Sequence, residues 1–223
     1  MDAKLVFSAV TKFVLGLVLT AGLLFVPAGT VHYHGGQRLM LLLFLPMFLA
    51  GVVMMAVNPD LLRRRLQAKE KQGEQRLVVG LSGLIFLCGF IAAGLDHRFG
   101  WSQMPLWVSI CGTVSFLLAY GLYAEVLREN TWLSRTVEVQ EGQQVVDTGL
   151  YGVVRHPMYG ATILLFLSMP LVLGSWVSLV FFLPYPVLIA KRIKYEEALL
   201  EPELKGYADY KTRVKYRLIP YIW

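Results

Sequence analysis

Long apolar runs divide the chain into segments that are long enough to cross a lipid bilayer. Four such runs are separated by proline, glycine and asparagine turn signals, and they cover residues 9–26, 40–57, 77–95 and 105–126. Each run approaches the roughly 20 residues that a helix needs to cross a hydrocarbon core of about 30 Å. Because lipid offers no partner to unpaired backbone groups, we predict a transmembrane helix for each run.

A fifth apolar region, residues 158–190, is too long for one ordinary span. The residues that interrupt it are Pro170, Gly174, Pro184 and Pro186. We interpret the region as a helical hairpin with arms at 158–169 and 177–190 and a turn at 170–176. The first arm would be only about 18 Å long, so it crosses the bilayer only if its helix extends further. The predicted fold class is an all-α integral membrane protein, with four N-terminal transmembrane helices, a C-terminal helical hairpin and five to six spans.

The composition agrees with this class, because 56% of the 223 residues are hydrophobic and 16% are charged. Cys88 and Cys111 lie in separate apolar runs without CxxC spacing, so we expect both to be buried packing residues. The first apolar run is too long for a cleaved secretion signal, and further spans follow it, so we expect it to be a membrane helix.

Basic residues are concentrated on one side of the predicted membrane. With the N-terminus inside, the outer connections contain only Arg38 and Arg98, so 19 of the 21 basic residues lie inside or within the first span. The positive-inside rule then predicts cytoplasmic N- and C-termini, in the inner or plasma membrane if the protein is bacterial. The net charge of +6 does not indicate nucleic acid binding, because no base-reading or stacking module accompanies it.

This topology divides the chain into two parts. Residues 1–126 form the lipid-facing transmembrane helices, and residues 127–223 form a cytoplasmic connector, the membrane hairpin and a tail. Between the second and third spans, the basic segment 60–76 is interpreted as a solvated loop that contacts anionic lipid headgroups. The alternative is a surface helix that recruits an acidic substrate.

The sequence DTGLYGVVRHPMYG gathers polar and aromatic side chains immediately before a membrane arm. Pro157 has no N–H and disfavours helical geometry at His156, so we expect a turn that leaves backbone groups for a ligand or water. Tyr151, Arg155 and Tyr159 would belong to the same ligand site. Alternatively, Arg155 extends to lipid phosphates and the tyrosines belong to an interfacial aromatic belt.

A second polar cluster, KRIKYEEALL, continues the second arm of the hairpin. Arg192 and Glu196 are four residues apart, so a helix places them on one face with Cβ atoms about 6 Å apart. Glu197 would point some 100° away. Charges near the bilayer are costly unless they are paired or solvated, which favours a water-filled site. An exposed salt bridge that anchors the topology is the alternative.

The end of the chain is both aromatic and basic and closes with RLIPYIW. Such a segment typically lies on a membrane surface, and it could instead fold over a cofactor as an apolar wall. His32 and His34 flank Tyr33 with the spacing of a weak metal pair, but no third ligand is apparent. We therefore predict no metal site there or at His97.

The runs GLYGVVRHPMYG, RIKYEEALL and GYADYKTRVKYRLIPYIW occur in this order in bacterial relatives of isoprenylcysteine carboxyl methyltransferases, and residues 130–223 resemble that family. The RHPxY motif alone is also similar to the C-terminal part of sterol reductases, so the specificity depends on its combination with RxxxEE. The resemblance implies an S-adenosyl-L-methionine site built from the hairpin and cytoplasmic segments, with no Rossmann domain.

The resemblance also implies the roles of individual residues. The implied cofactor contacts are Gln140, Gln143, Gln144, Val145, Val146, Tyr151, His156, Pro157, Met158, Tyr159 and Glu196. The implied catalytic residues are Arg192, which would face the acceptor, and Glu196, which would face the methyl donor.

The predicted function is therefore an integral membrane S-adenosylmethionine-dependent methyltransferase that uses in-line SN2 transfer. The expected partners are membrane lipids and a lipophilic small-molecule or lipid-modified acceptor, and no obligate protein partner is inferred. An isoprenylcysteine-like carboxylate is the expected acceptor; it is already ionised near neutral pH, whereas an amine would first have to lose a proton. The alternatives are an NADPH-dependent reductase of the sterol or isoprenoid type and a non-catalytic membrane ligand-binding protein.

Overall fold

A computed structural model describes residues 3–66, 73–134 and 136–223 of the chain. These residues form α-helices, one short 3₁₀ turn (Gly149–Gly152) and connecting segments, with no β-strand among them, which confirms the predicted all-α class. In chain order the helices are α1 (Ala3–Ala28), α2 (His34–Val57), α3 (Pro59–Leu66), α4 (Gly73–Phe99), α5 (Leu106–Glu129), α6 (Pro157–Leu173), α7 (Trp176–Phe182), α8 (Tyr185–Glu203) and α9 (Tyr207–Arg213).

Five segments of the described chain have the length and apolar composition of membrane spans. They are α1, α2, α4, α5 and the combined segment Trp176–Glu203, which contains α7 and α8. The first four coincide with the predicted spans, and each helix continues beyond its apolar run because helical hydrogen bonding does not stop at the hydrocarbon boundary. The chain is therefore a multi-pass integral membrane protein. The burial predicted for both cysteines is wrong for Cys111, which is exposed on α5, and Cys88 is partly buried.

The C-terminal hairpin is present, but its first arm is longer than predicted. α6 continues through Pro170 to Leu173, and its 17 residues span about 26 Å. It ends at Gly174, which has a φ of 75° and is therefore in the left-handed conformation that glycine adopts without penalty. The predicted turn at 170–176 is thus confined to residues 174 and 175. The second arm is broken by Pro184 between α7 and α8.

The polar groups at one end of the bundle tie its loops together. Asp96 is buried near the end of α4 and accepts hydrogen bonds from the N–H and Oγ of Ser102 (2.7 and 2.6 Å) and from Ser175 Oγ (2.5 Å). The hydroxyl of Tyr33 donates to the Leu173 carbonyl (2.8 Å), and its ring stacks on His97. These contacts hold the hairpin turn in place. The first residues of α6 lie at the opposite end of the bundle.

At that opposite end, α3 holds the connector (residues 130–156, between α5 and α6). Arg64 donates to the Thr131 carbonyl (2.7 Å), and Arg65 donates to the Ser134 carbonyl (3.2 Å) and to the Tyr123 hydroxyl. The loop predicted for the basic segment is therefore wrong for residues 60–66, which are helical, and for residues 73–76, which belong to α4. Two basic residues of that prediction, Lys69 and Lys71, lie outside the described residues.

Helices α5 and α6 approach each other closely at Gly112 of α5. A Cβ added at Gly112 would lie 2.4 Å from the Cβ of Leu171. We expect Gly112→Ala to force α5 and α6 apart and to lower the free energy of unfolding by about 1–3 kcal/mol, the usual cost of overpacking. Thermal unfolding of the purified protein in detergent measures this.

Gly121 on the same helix provides the matched control. A Cβ added there meets no atom within 4 Å, so Gly121→Ala should leave the melting temperature unchanged or raise it slightly, since alanine favours the helix. Equal melting temperatures of the two variants would contradict the close approach of α5 and α6.

Candidate functional site

A cleft opens where α6, α8, the connector and α9 meet. Its empty space, counted together with the open solvent at its mouth, is about 820 Å³. The predicted site residues that line it are Gln143, Gln144, Val145, Val146, Tyr151, His156, Met158, Tyr159, Arg192 and Glu196. The fold thus brings together the connector, the start of α6 and the middle of α8, which are distant in sequence.

Two of the predicted cofactor residues do not line the cleft. The side-chain amide of Gln140 donates to the Trp132 carbonyl (2.6 Å), and its backbone N–H donates to the side chain of Gln143 (2.9 Å), so Gln140 shapes the connector. Pro157 is buried at the first position of α6, where a missing N–H costs no helical hydrogen bond.

Three side chains, here called the α6–α8 triad, are Arg192, Tyr159 and Glu196. Nε of Arg192 donates to the Tyr159 hydroxyl (2.9 Å), and that hydroxyl donates to Oε2 of Glu196 (2.5 Å). Arg192 and Tyr159 are buried and Glu196 is half-buried. The helical face predicted for Arg192 and Glu196 is therefore present, and a tyrosine of α6 lies between them.

Glu197, to which the sequence analysis assigned no role, is a buried carboxylate with three basic partners. Its Oε1 accepts from Nε of Arg155 (2.8 Å) and lies 3.1 Å from Nε2 of His156, and its Oε2 accepts from Nε of Arg217 (2.8 Å). Because an ionised carboxylate only accepts, Nε2 of His156 carries the hydrogen of its bond. Its partners come from the end of the connector and from the tail (residues 214–223), so Glu197 joins both to α8.

The backbone before α6 is paired with the tail, so the prediction that its groups are left for a ligand or water is wrong. The N–H of Arg155 donates to the Tyr216 carbonyl and the N–H of His156 to the Arg217 carbonyl, both at 2.9 Å. Nη1 of Arg155 donates to two further tail carbonyls, at 2.7 and 2.8 Å. Arg155 is only 6% exposed, so it does not extend to lipid phosphates either.

Three buried tyrosines form an aromatic wall of the cleft. Tyr210 donates to the Tyr151 carbonyl (2.7 Å), the amide of Asn130 donates to the Tyr151 hydroxyl (3.0 Å), and the rings of Tyr207 and Tyr210 lie 5.8 Å apart. Burial raises the pKa of Tyr151 to about 12, although the bond from Asn130 opposes the shift. Burial also raises the pKa of Tyr207 and Tyr210. All three phenols therefore stay neutral at physiological pH.

The polar groups in the cleft favour a ligand with positive charge. Glu138 and Glu196 both contribute to the lining, beside the neutral aromatic wall. Carboxylates pair with cations, and the faces of aromatic rings attract them as well. Of the arginines in the lining, Arg155 donates to Glu197 and to the tail, and Arg192 donates to Tyr159.

Two sequence comparisons match part of the chain. Residues 107–205 match the model of the phospholipid methyltransferase family. A stretch of 91 residues is 30% identical to the Delta(14)-sterol reductase of Mus musculus and covers 40% of this chain. The matched stretch spans 22% of the length of that curated relative.

Among solved structures, the chain is similar to the eukaryotic intramembrane Ras methyltransferase named isoprenylcysteine carboxyl methyltransferase. The TM-score is 0.59 at 19% sequence identity, and the match covers 96% of this chain and 77% of that chain. It includes the N-terminal helices, for which the sequence carried no family motif. The resemblance found in the motifs is confirmed by the fold and by the family match: the chain is an integral membrane protein whose fold is similar to that of isoprenylcysteine carboxyl methyltransferase, and its residues 107–205 match the phospholipid methyltransferase family.

Proposed function

We propose that the chain transfers a methyl group from S-adenosyl-L-methionine to a lipophilic acceptor in the cleft. The observation that carries this proposal is the α6–α8 triad, which puts a buried guanidinium and a carboxylate in the cleft on either side of one tyrosine hydroxyl. When bound, S-adenosyl-L-methionine supplies an electrophilic methyl group on a positively charged sulfur. The family match and the fold support a methyltransferase independently of the triad.

The residues of the cleft fit such a donor. Its sulfonium and amino groups are both positive, and Glu138 and Glu196 offer carboxylates to them. The aromatic wall gives the adenine ring an apolar surface on which to pack. Tyr159 fixes the Glu196 carboxylate by a 2.5 Å hydrogen bond, so this carboxylate is oriented before the donor binds.

Arg192 is the proposed binding group for the acceptor. A buried guanidinium pairs with a carboxylate in a defined geometry, and a carboxylate acceptor needs no general base near neutral pH. The chain then contributes alignment, because holding donor and acceptor in line can lower the barrier by several kcal/mol. Glu196 and Arg192 are linked through Tyr159, so the positions of the two ligands are set by one hydrogen-bonded unit.

A phospholipid amine is the second acceptor class, and the match to phospholipid methyltransferases favours it. An ammonium group must lose a proton before it can attack the methyl group. Glu196 is the candidate base because its carboxylate lines the cleft. His156, the other base considered from the sequence, uses its Nε2 to bond Glu197 and is therefore less suited to the role.

We further propose that the cleft faces the cytoplasm, where the methyl donor is made. Arg38 and Arg98, the only basic residues assigned to the outer connections, lie in α2 and α4 near the end of the bundle that holds the hairpin turn. The cleft lies at the other end, together with the basic helix α3. The positive-inside rule then orients the cleft inward.

The match to a sterol reductase supports the reductase alternative, for which the cofactor expected from the sequence is NADPH, so the direct test compares the two ligands. Purified protein in detergent is titrated with labelled S-adenosyl-L-methionine and with NADPH. We expect saturable binding of the methyl donor alone, because the cleft offers carboxylates to a cation, whereas NADPH carries several phosphates. Saturable binding of NADPH without donor binding would overturn the proposal.

The acceptor is identified by incubating the protein with labelled donor and a membrane lipid extract. We expect the label in a methyl ester, which alkali releases as methanol. An alkali-stable label in a lipid headgroup would instead identify an amine acceptor. Donor binding without transfer to any lipid, unaffected by Arg192→Ala and Glu196→Ala, would support the non-catalytic alternative.

A further inference from the structure

Tyr207 lines the cleft, and its buried hydroxyl has no hydrogen-bond partner among the described residues. The residue is 4% exposed, and none of residues 3–66, 73–134 and 136–223 hydrogen-bonds its hydroxyl. The hydroxyls of the other three tyrosines in the lining, Tyr151, Tyr159 and Tyr210, all have partners. A buried polar group without a partner destabilises a folded protein, so a hydroxyl kept in this state calls for a ligand or a water.

The ring of Tyr207 is fixed even though its hydroxyl is unpaired. Gly206 precedes it with a φ of 86°, a left-handed turn that leads from α8 into α9. The ring then packs in a small apolar cluster with Leu204, Tyr210 and Val214. The hydroxyl is thus held at one place in the wall before any ligand arrives.

The chemistry around Tyr207 determines what kind of atom it can bind. Burial raises the pKa of its phenol, and the charges of Glu197 and Glu196 raise it further, so the hydroxyl remains a donor. Both carboxylates already have donors of their own, Tyr159 for Glu196 and Arg155 among those for Glu197. The missing partner is therefore an acceptor oxygen, and none of the described residues supplies one to this hydroxyl.

We infer that Tyr207 is a ligand-binding residue whose hydroxyl donates a hydrogen bond to the carboxylate of the bound methyl donor. The inference rests on the proposed function, since it assumes that S-adenosyl-L-methionine occupies the cleft. The carboxylate is the only anionic oxygen group of that molecule, whereas its ammonium and sulfonium groups suit Glu138 and Glu196. Hydrogen bonds to charged groups are the stronger ones, so this contact favours the amino-acid end of the donor.

Tyr207→Phe removes the hydroxyl and keeps the ring. We expect the affinity for S-adenosyl-L-methionine to fall about tenfold to 100-fold, because a hydrogen bond to a charged acceptor is lost. The melting temperature of the ligand-free variant should stay equal or rise, since an unpaired buried hydroxyl is removed. A purely structural role of Tyr207 would instead lower the melting temperature.

Tyr210→Phe is the matched control, because the hydroxyl of Tyr210 donates to the Tyr151 carbonyl. Its removal should lower the melting temperature of the ligand-free protein. The two tyrosines are three residues apart on one helix, and their ring packing is shared. A melting temperature that falls in Tyr210→Phe but not in Tyr207→Phe would therefore reflect only the hydrogen-bond partners of the two hydroxyls.

Decarboxylated S-adenosylmethionine identifies the ligand oxygen. It should bind wild type and Tyr207→Phe with equal affinity, because the proposed acceptor is missing. A loss of affinity for this analogue in the variant would point to another oxygen, such as a ribose hydroxyl, and would overturn the inference as stated. If the wild type binds S-adenosyl-L-methionine and Tyr207→Phe binds it with the same affinity, the inference is overturned and the proposed function is not. Wild type that does not bind the donor would overturn the proposed function and the inference together.

Discussion

Arg192→Ala is expected to lower the rate of methyl transfer by about 100-fold or more, while donor affinity changes by less than about threefold. The guanidinium is buried at the cleft and is the proposed partner of the acceptor, and losing a charged group that positions a reacting atom commonly costs this much. Single-turnover transfer of label to the lipid acceptor measures the rate, and a binding titration measures the affinity. Lys194→Ala, at an exposed position of the same helix, should leave both unchanged.

Glu196→Gln should show the complementary pattern. The substitution keeps the size of the side chain and removes the charge that faces the cationic donor in the proposed function, so we expect donor affinity to fall about tenfold or more. Transfer at saturating donor should be affected less than in Arg192→Ala. Unchanged transfer in Arg192→Ala would remove its proposed role, and unchanged donor affinity in Glu196→Gln would remove that of Glu196.

Tyr159→Phe tests whether the two residues act as one unit. This change breaks both hydrogen bonds of the α6–α8 triad and leaves the charges of Arg192 and Glu196 in place. If the tyrosine only fills space, transfer and donor affinity stay at the wild-type level. If it positions both groups, both quantities fall, although each by less than in the variant that removes the group itself.

Apolar run lengths were sufficient to predict the membrane helices, because the bilayer imposes a length that the sequence must satisfy locally. The extension of α6 through Pro170 was not predicted. A proline is usually a stop signal, but at this point it lies three residues before the helix ends, so it removes little of the backbone hydrogen bonding. The helix instead ends at Gly174, because the left-handed backbone conformation there favours glycine, whereas Pro170 does not force the helix to end.

The motifs of the candidate site could be predicted from the sequence, but the hydrogen-bond partners of its side chains could not. Helical spacing correctly put Arg192 and Glu196 on one face, because that relation depends only on the helix. It could not show that Tyr159 lies between them or that the tail covers the face of Glu197, since both facts depend on contacts between distant segments. The pairing of Arg155 and His156 with tail carbonyls was missed for the same reason.

Glu197→Ala is expected to destabilise the protein by about 3–5 kcal/mol, the usual cost of removing one partner from a buried ion pair. The Glu197 side chain is 4% exposed, and its loss leaves the buried guanidinium of Arg155 without a counter-charge. Arg217 loses its bond as well, so the tail should separate from α8. Thermal unfolding in detergent measures the first effect, and faster tryptic cleavage after Lys215 measures the second.

Glu201→Ala is the control for this change, because Glu201 is a carboxylate of the same helix in an exposed pair with Lys211. Its removal should change stability by less than about 0.5 kcal/mol. Comparison of Glu197→Ala with Glu197→Gln then separates charge from shape, since glutamine keeps one acceptor oxygen for Arg155 and should destabilise less. If Glu197→Ala instead lowered donor affinity at unchanged stability and unchanged cleavage, Glu197 would be a ligand of the donor. Because Glu197 is buried and both of its oxygens already have basic partners, we expect the loss of stability rather than a direct loss of donor affinity.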